Sequence, residues 1–460
     1  MYHYKYFILF FLLVLSTSSC RKYVELEPQG KITPNTVNDY QLLLNNSRIF
    51  DLSYGTNDFP TDDIALQSDN LIDGINPQSI LRIYKWEEVF YQANEDDAEW
   101  NLFYKQIYTA NVAIAGLPSA VSGSEVLKKQ LIAEAKVHRA YAYLCLVNLY
   151  ARHFVSASAG TDPGVPLLTS PGYTQKLNRA SVAEVYDLIL GDLISAAPDL
   201  QPIASSRTAP SRAAAHALLA RAYLYMGNYA KALEQADLCL AIQSSLSDLN
   251  ASLNAAPPGF PFPGFYLPLS KDNPEVLLMK GSNAQDAPLN LSPELLNVLG
   301  SKDLRAFFYT YNGPDLEYFP GIYYAYFAPF EPRQEGPTVP EVMLIKAESL
   351  ARMQRGLEGL KVVNTLRRAR FTPADYTELS AATDTDALGL ILQERRRELF
   401  GRGFRLFDIK RFNLEPGMAK TIIHPLKATQ LNLHTGSSRL IYPIPPKVIA
   451  MNPEITQNPR

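Results

Sequence analysis

Residues 212–243, RAAAHALLARAYLYMGNYAKALEQADLCLAIQ, read as two short amphipathic helices meeting at Gly227-Asn228. The first carries Ala213, Ala217, Ala220 and Leu224 at spacings of four, three and four. The second carries Ala232, Ala236 and Cys239 at the same kind of spacing, so each helix presents one stripe of small residues. Small stripes let two helix axes approach closely, and Gly227 suits a left-handed cap at the end of the first helix. A single hairpin of this kind cannot bury its own faces, so further helices must pack on it.

Leu219, Ala220, Tyr223, Gly227, Tyr229, Ala232, Ala236 and Cys239 fall where a tetratricopeptide repeat places its packing residues. Two further pairs flank this hairpin. Trp86 to Leu117 with Glu125 to His153 forms one, its second helix striped by Leu131, Ala135, His138, Ala142, Cys145 and Leu149. Glu341 to Arg370, broken at Gly356, forms the other, and 386–400 adds a long charged helix. A short helix is expected at 36–46, and Ser181-Val-Ala-Glu184 is a capping box ahead of Val185 to Ile194. The expected fold is therefore mainly α: tetratricopeptide-like pairs as a scaffold, with large irregular loops and a few short strands.

The loops are unusual. The chain holds 33 Pro, and 27 Tyr against only 2 Trp, which implies long ordered connections rich in aromatic surface. From Leu249 to Pro274 Pro and Gly exclude a regular helix, and 306–330 holds the densest aromatic cluster, expected as a small hairpin or ordered loop. Sugar rings stack their C–H faces on aromatic side chains, while hydroxyls need amides or carboxylates beside them. Tyr309, Tyr311, Asn312, Asp315, Tyr318, Tyr323, Tyr324 and Tyr326 supply both kinds of group in one loop. Tyr54, Asn57 and Asp58 do so in another, with Trp86 nearby. These are the candidate ligand-binding residues. The plainer alternative, packing of each aromatic inside its own loop, stands beside that reading.

Several function classes fall away. A formal charge of −3 without a long basic run argues against nucleic acid. No GxSxG, HExxH, P-loop or GxGxxG is present, so no catalytic residue is assigned and no cofactor is indicated. The six His show no metal spacing. Asp51, Asp58, Asp62, Asp63, Asp69 and Asp73 lack the order of an EF-hand loop, so a structural calcium ion is conceivable but not indicated. Cys145 and Cys239 lie on apolar stripes and are expected as buried free thiols.

Residues 1–19 form a targeting segment: Lys5, an apolar run from Phe7 to Leu15, then Ser and Thr leading to Cys20. That run is nine residues, against roughly 20 for a spanning helix. The layout is that of a bacterial lipoprotein signal cleaved before Cys20, whose thiol then carries lipid.

The strongest motif is Gln393 to Phe412, QERRRELFGRGFRLFDIKRF. Read by charge alone it is a salt-bridge network, with Glu394 and Glu398 expected to pair with Arg405, Asp408 or Arg411 beyond the Gly401–Gly403 turn. It resembles the ERxxEL…G.R..DL.RW signature of the SusD/RagB nutrient-uptake lipoproteins of Bacteroidetes, with Phe412 standing for Trp. Glu394, Arg395, Arg397, Glu398, Gly403, Arg405, Asp408 and Arg411 carry the match. Pro443-Ile444-Pro445, Asn452-Pro453 and Gln457-Asn458-Pro459 resemble the family's closing segment. Asn178-Arg179-Ala180-Ser181, Asn364 with Leu366 to Arg370, and Ala133-Glu134-Ala135 through Tyr141 resemble three further family motifs.

The resemblance implies an outer-membrane, lipid-anchored, cell-surface protein that caps a SusC-type TonB-dependent transporter. Such proteins capture oligosaccharide or peptide and are not enzymes; their helical repeats face the transporter and inserted loops hold ligand. On this reading 20–460 is one domain. Its parts are a tether (20–35), an N-terminal part with two helical pairs (36–248), an aromatic insertion on the ligand side (249–340) and a C-terminal part (341–460). A repeat scaffold without import role, or a secreted glycoside hydrolase, are the competing readings.

Overall fold

The computed structural model describes residues 34–172, 175–256, 266–282, 289–312, 323–325 and 331–460. Residues 1–19, Cys20, Asp315, Tyr318 and Tyr326 lie outside them. Among the described residues ten helices run eight residues or longer. They are α1 (Val37–Leu44), α2 (Ala98–Gly116), α3 (Glu125–Tyr150), α4 (Val182–Ala196) and α5 (Arg212–Tyr225). The rest are α6 (Tyr229–Ile242), α7 (Val339–Arg352), α8 (Gly356–Arg368), α9 (Asp384–Leu399) and α10 (Phe404–Phe412). From α2 to α9 each helix packs on the next in chain order, giving one continuous stack.

Local chemistry sets the boundaries. Thr36 and Asp39 form a reciprocal capping box on α1, and Ser181 and Glu184 form the expected one on α4. The α2 helix begins at Ala98 rather than near Trp86, because Asp97 Oδ1 accepts from the Glu99 and Trp100 amides at 3.0 and 3.1 Å. Gly227 takes φ +72° between α5 and α6, as the hairpin requires. Asp248 caps a short helix, Leu249–Ala255, which fits ahead of Pro257 in the segment expected to hold none. The β-hairpin Ile422–Leu426 with Thr429–Leu433 was not anticipated from the sequence.

The α5 helix is buried around most of its circumference, not along one stripe, since it sits inside the stack. Its neighbours are α4 on one side and α6 and α7 on the other, so α4 separates it from most of α3. Cys145 and Cys239 are free thiols within this core, and burial pushes the Cys145 thiol up to about 12.

The signature helix α9 is held by buried charge. Glu398 accepts from Arg305 at 2.7 Å and Arg370 at 2.8 Å, and Glu394 accepts from Arg305 at 2.6 Å and Arg367 at 2.7 Å. Asp303 chelates the same Arg305 at 2.6 and 2.8 Å, and Glu275 takes Arg370 at 2.7 Å. Arg305 and Arg370 are wholly buried. The expected partners are thus corrected: the two glutamates turn inward to arginines of other segments. Arg395 instead takes Asp408 at 2.9 Å, Arg411 takes Glu348 and Asp408, Arg397 reaches the Val298 carbonyl, and Arg405 chelates Asp62.

Gly403, φ +75°, turns the chain from α9 into α10. Its amide donates to both Asp58 oxygens at 3.0 and 3.1 Å, and its carbonyl accepts from the Asn57 amide at 2.6 Å. A Cβ at this position would collide with the Tyr54 ring and the Asn57 amide.

These contacts predict two stability outcomes. Arg305→Met leaves Asp303, Glu394 and Glu398 short of their shared cation and should cost about 3–5 kcal/mol in urea unfolding; Gly403→Ala should cost about 1–3 kcal/mol. Burial alone would push Glu398 and Glu348 up, but Arg370 and Arg305, and Arg411 and Arg352, hold them down to about 2. Depressed carboxylates stabilise above their unfolded pKa of about 4.3. Thermal melts should therefore show that contribution draining away as pH falls from about 4.3 toward 2.

Candidate functional site

Tyr54, Asn57 and Asp58 lie in the interior, at 1 % exposure or less, locked to the Gly403 turn. The Tyr54 ring meets Phe407 edge-on at 5.6 Å. They are packing and turn-fixing residues, which corrects their expected place on a ligand surface. The physical reason is the left-handed turn, whose amide and carbonyl need buried partners.

Trp86 is held rigidly. Its backbone sits at φ +51°, its indole N–H donates to the Pro60 carbonyl at 3.0 Å, and one face stacks on His424 at 4.1 Å. His424 stacks in turn on Tyr84 at 4.1 Å and uses both ring nitrogens on the Tyr84 and Thr61 carbonyls, each at 2.8 Å. Burial lowers the His424 pKa to about 4 against the pull of the Tyr84 and Thr61 carbonyls, which favour the doubly protonated ring; a neutral ring donates to only one of them. Only 5 % of Trp86 reaches solvent.

Trp86 lines a groove of about 540 Å³ between residues 85–92 and the hairpin strand Thr429–Leu433. Gln92 and Asn432 are exposed on its rim, with Lys85, Glu87, Glu88 and Arg439 around them and Val89 and Leu431 as apolar wall. The arrangement is a rigid aromatic among side-chain amides and charges in a shallow groove open to solvent. Gln92, Asn432 and Arg439 were not among the residues expected from sequence. The alternation of polar and apolar residues in Thr429-Gln-Leu-Asn-Leu433 is the signal that could have placed Asn432 on a strand.

The aromatic stretch contributes no residue to this groove. After the short helix Leu304–Tyr309, Thr310–Asn312 pairs antiparallel with Tyr323–Ala325, setting Tyr311 opposite Tyr324 and Asn312 opposite Tyr323. This agrees with the expected small hairpin. Tyr309 lines a narrow cleft of about 80 Å³ with Asn273, Glu275, Gln334 and Arg402. That enclosed volume has room for a few waters only. Its polar groups are also engaged: Glu275 binds Arg370, and Arg402 donates to the Gln334 carbonyl at 2.6 Å. Among the described residues no group of His, Cys, Asp and Glu has the arrangement of a metal site.

Comparison with known proteins places this architecture. Residues 14–224 match a SusD-like family model described as starch-binding associating with outer membrane, and residues 339–460 match the SusD family model. The chain is 24% identical to SusD-like protein P38 of Formosa agariphila across 97% of each sequence. A SusD superfamily structure from Bacteroides thetaiotaomicron superposes with TM-score 0.70 at 23% identity, covering 92% of this chain and 100% of that one. A laminarin-binding SusD-like protein superposes with TM-score 0.63 at 22% identity, covering 92% and 99%. The two matched regions span the two ends of the helical stack and include the α9–α10 signature, and on these grounds the chain belongs to the SusD/RagB family.

Proposed function

We propose that this protein binds carbohydrate at the outer membrane and passes it to a SusC-type TonB-dependent transporter. The groove beside Trp86 carries the reading. An indole fixed on three sides pays no ordering cost when a sugar ring lies against its free edge, and the Gln92 and Asn432 amides stand where hydroxyls would need partners. Family membership supports carbohydrate as the ligand class, and one structural relative is a laminarin-binding protein. The insertion strands with Tyr311, Asn312, Tyr323 and Tyr324 are the proposed second contact, since they bring the densest aromatic sequence to one small hairpin.

In this reading Cys20 supplies membrane attachment; no helix among the described residues is long and apolar enough to cross a membrane. The helical stack offers a docking face. Ile194 on α4, Leu238 on α6 and Leu357 on α8 are 53%, 43% and 51% exposed, one aliphatic on each of three helices of the stack. These three exposed aliphatics are the positions at which the proposed contact is tested.

The test begins with a glycan and peptide array probed with the mature chain, followed by calorimetry on the glycan bound best. Asn432→Ala and Gln92→Ala, on the rim, should each weaken binding severalfold, and Trp86→Ala by about tenfold or more, with circular dichroism confirming the fold. Recognition of peptides alone, or glycan affinity unchanged in all three variants, would overturn the assignment. Import is tested separately: a SusC-type barrel should co-purify with the chain, and Leu238→Glu with Leu357→Glu should release it. Retention of the barrel by that double variant would exclude this face.

A further inference from the structure

The groove beside Trp86 is bounded by two segments that meet without a backbone ladder. Residues 85–92 form one side, and Leu431, Asn432, Leu433 and Arg439 form the other. The strand Thr429–Leu433 directs its ladder to Ile422–Leu426. Among the described residues no backbone hydrogen bond joins residues 85–92 to residues 429–441. The stack of Trp86 on His424 joins the two sides at one point. The spacing of the rest of the groove needs another cause.

Arg460 bridges the two sides. Its Nη2 donates to the Glu87 carbonyl, while its Nη1 donates to the Ile441 carbonyl and reaches the Arg439 carbonyl at 3.4 Å. Glu87 and Arg439 both line the groove. The guanidinium lies over the Phe90 ring at 4.6 Å, and Phe90 meets Tyr442 edge-on at 5.0 Å. Both rings are buried, so this platform is fixed. Burial, with Arg439 nearby, lowers the Arg460 pKa to about 10, which leaves it charged at neutral pH. Asn458 anchors the same segment, donating to the Tyr150 and Tyr442 carbonyls at 2.7 and 2.8 Å.

The shape of this side chain matters. A guanidinium is planar and rigid, so carbonyls bonded to its two amino groups are held at one separation. The other ties on residues 85–92 do not cross the groove. Arg82 takes the Phe90 carbonyl at 2.6 Å and Glu95 takes the Gln92 amide at 2.8 Å, and both belong to the chain flanking that same segment. A ligand in a shallow groove touches both sides at once only where their spacing is already set. Walls free to move apart must be ordered on binding, and that weakens it.

We infer that Arg460 is a positioning residue of this groove: by holding Glu87 and Arg439 at a fixed separation, it sets the width of the site and its affinity for ligand. The width follows from the contacts of Arg460, whereas the effect on affinity rests on the carbohydrate reading of the groove.

The test measures the width directly, without ligand, by electron–electron resonance on the full chain carrying Cys20→Ser. One pair of spin labels, on Val89→Cys and Thr435→Cys, spans the groove; a second, on Lys129→Cys and Lys361→Cys, reports on α3 and α8 of the scaffold. Both sets of positions are exposed, and Cys145 and Cys239 are buried. Arg460→Gln should lengthen and broaden the distances across the groove and leave the scaffold pair unchanged. An unchanged groove pair overturns the inference. Equal broadening of both pairs does so too, since Arg460 is then a general stabiliser. Calorimetry with the glycan bound best on the array should show affinity about tenfold weaker in Arg460→Gln. Unchanged affinity beside a widened groove overturns the link to binding. An array on which no glycan binds removes the carbohydrate reading and that link together, and the labels still decide the width.

Discussion

Glu398 and Glu394 are buried carboxylates, and the architecture depends on the arginines that reach them. Arg305 comes from the insertion, Arg367 and Arg370 from the end of α8 and the turn beyond it. Taking these charges out of water is costly, so the network contributes through geometry more than through net energy. Any arrangement that separates the insertion from α9 strands a buried charge. The segment that carries Asp303 and Arg305 is thereby fixed to α9.

The same helix fixes the chain on its C-terminal side. With α9 held, the Gly401–Gly403 turn has one position, and the Asn57–Asp58 loop closes on its amide and carbonyl. Arg396, near the end of α9, and Arg405, at the start of α10, then tie down Asp63 and Asp62, at 2.7 Å each. Segments more than 300 residues apart in sequence meet at this point. The loops that line the groove at Trp86 emerge from it: residues 85–92 leave the Tyr84–His424–Trp86 stack, and the hairpin Ile422–Leu433 carries His424.

Much of the stack was legible because helical periodicity and capping are local. The Ser181 capping box, the Gly227 turn and the break at Gly356 all stand where the pattern put them. The candidate site was less legible because burial of a loop residue is not local. Tyr54, Asn57 and Asp58 have the composition of a sugar-binding loop, yet a left-handed turn some 345 residues away claims them. Trp86 is singled out by the sequence, but the residues beside it are not, since Gln92, Asn432 and Arg439 come together with it only through the hairpin. Glu394 and Glu398 were assigned neighbours close in sequence, whereas a carboxylate facing inward takes the nearest buried guanidinium whatever its position in the chain.

Hydrogen–deuterium exchange with mass spectrometry, with and without the glycan selected on the array, tests the separation of scaffold from binding surface most directly. The account predicts ligand protection confined to residues 85–92, the strand Thr429–Leu433 and the insertion strands, with the hairpin α5–α6 unchanged. Protection centred on α5 and α6, with none at residues 85–92, would contradict it.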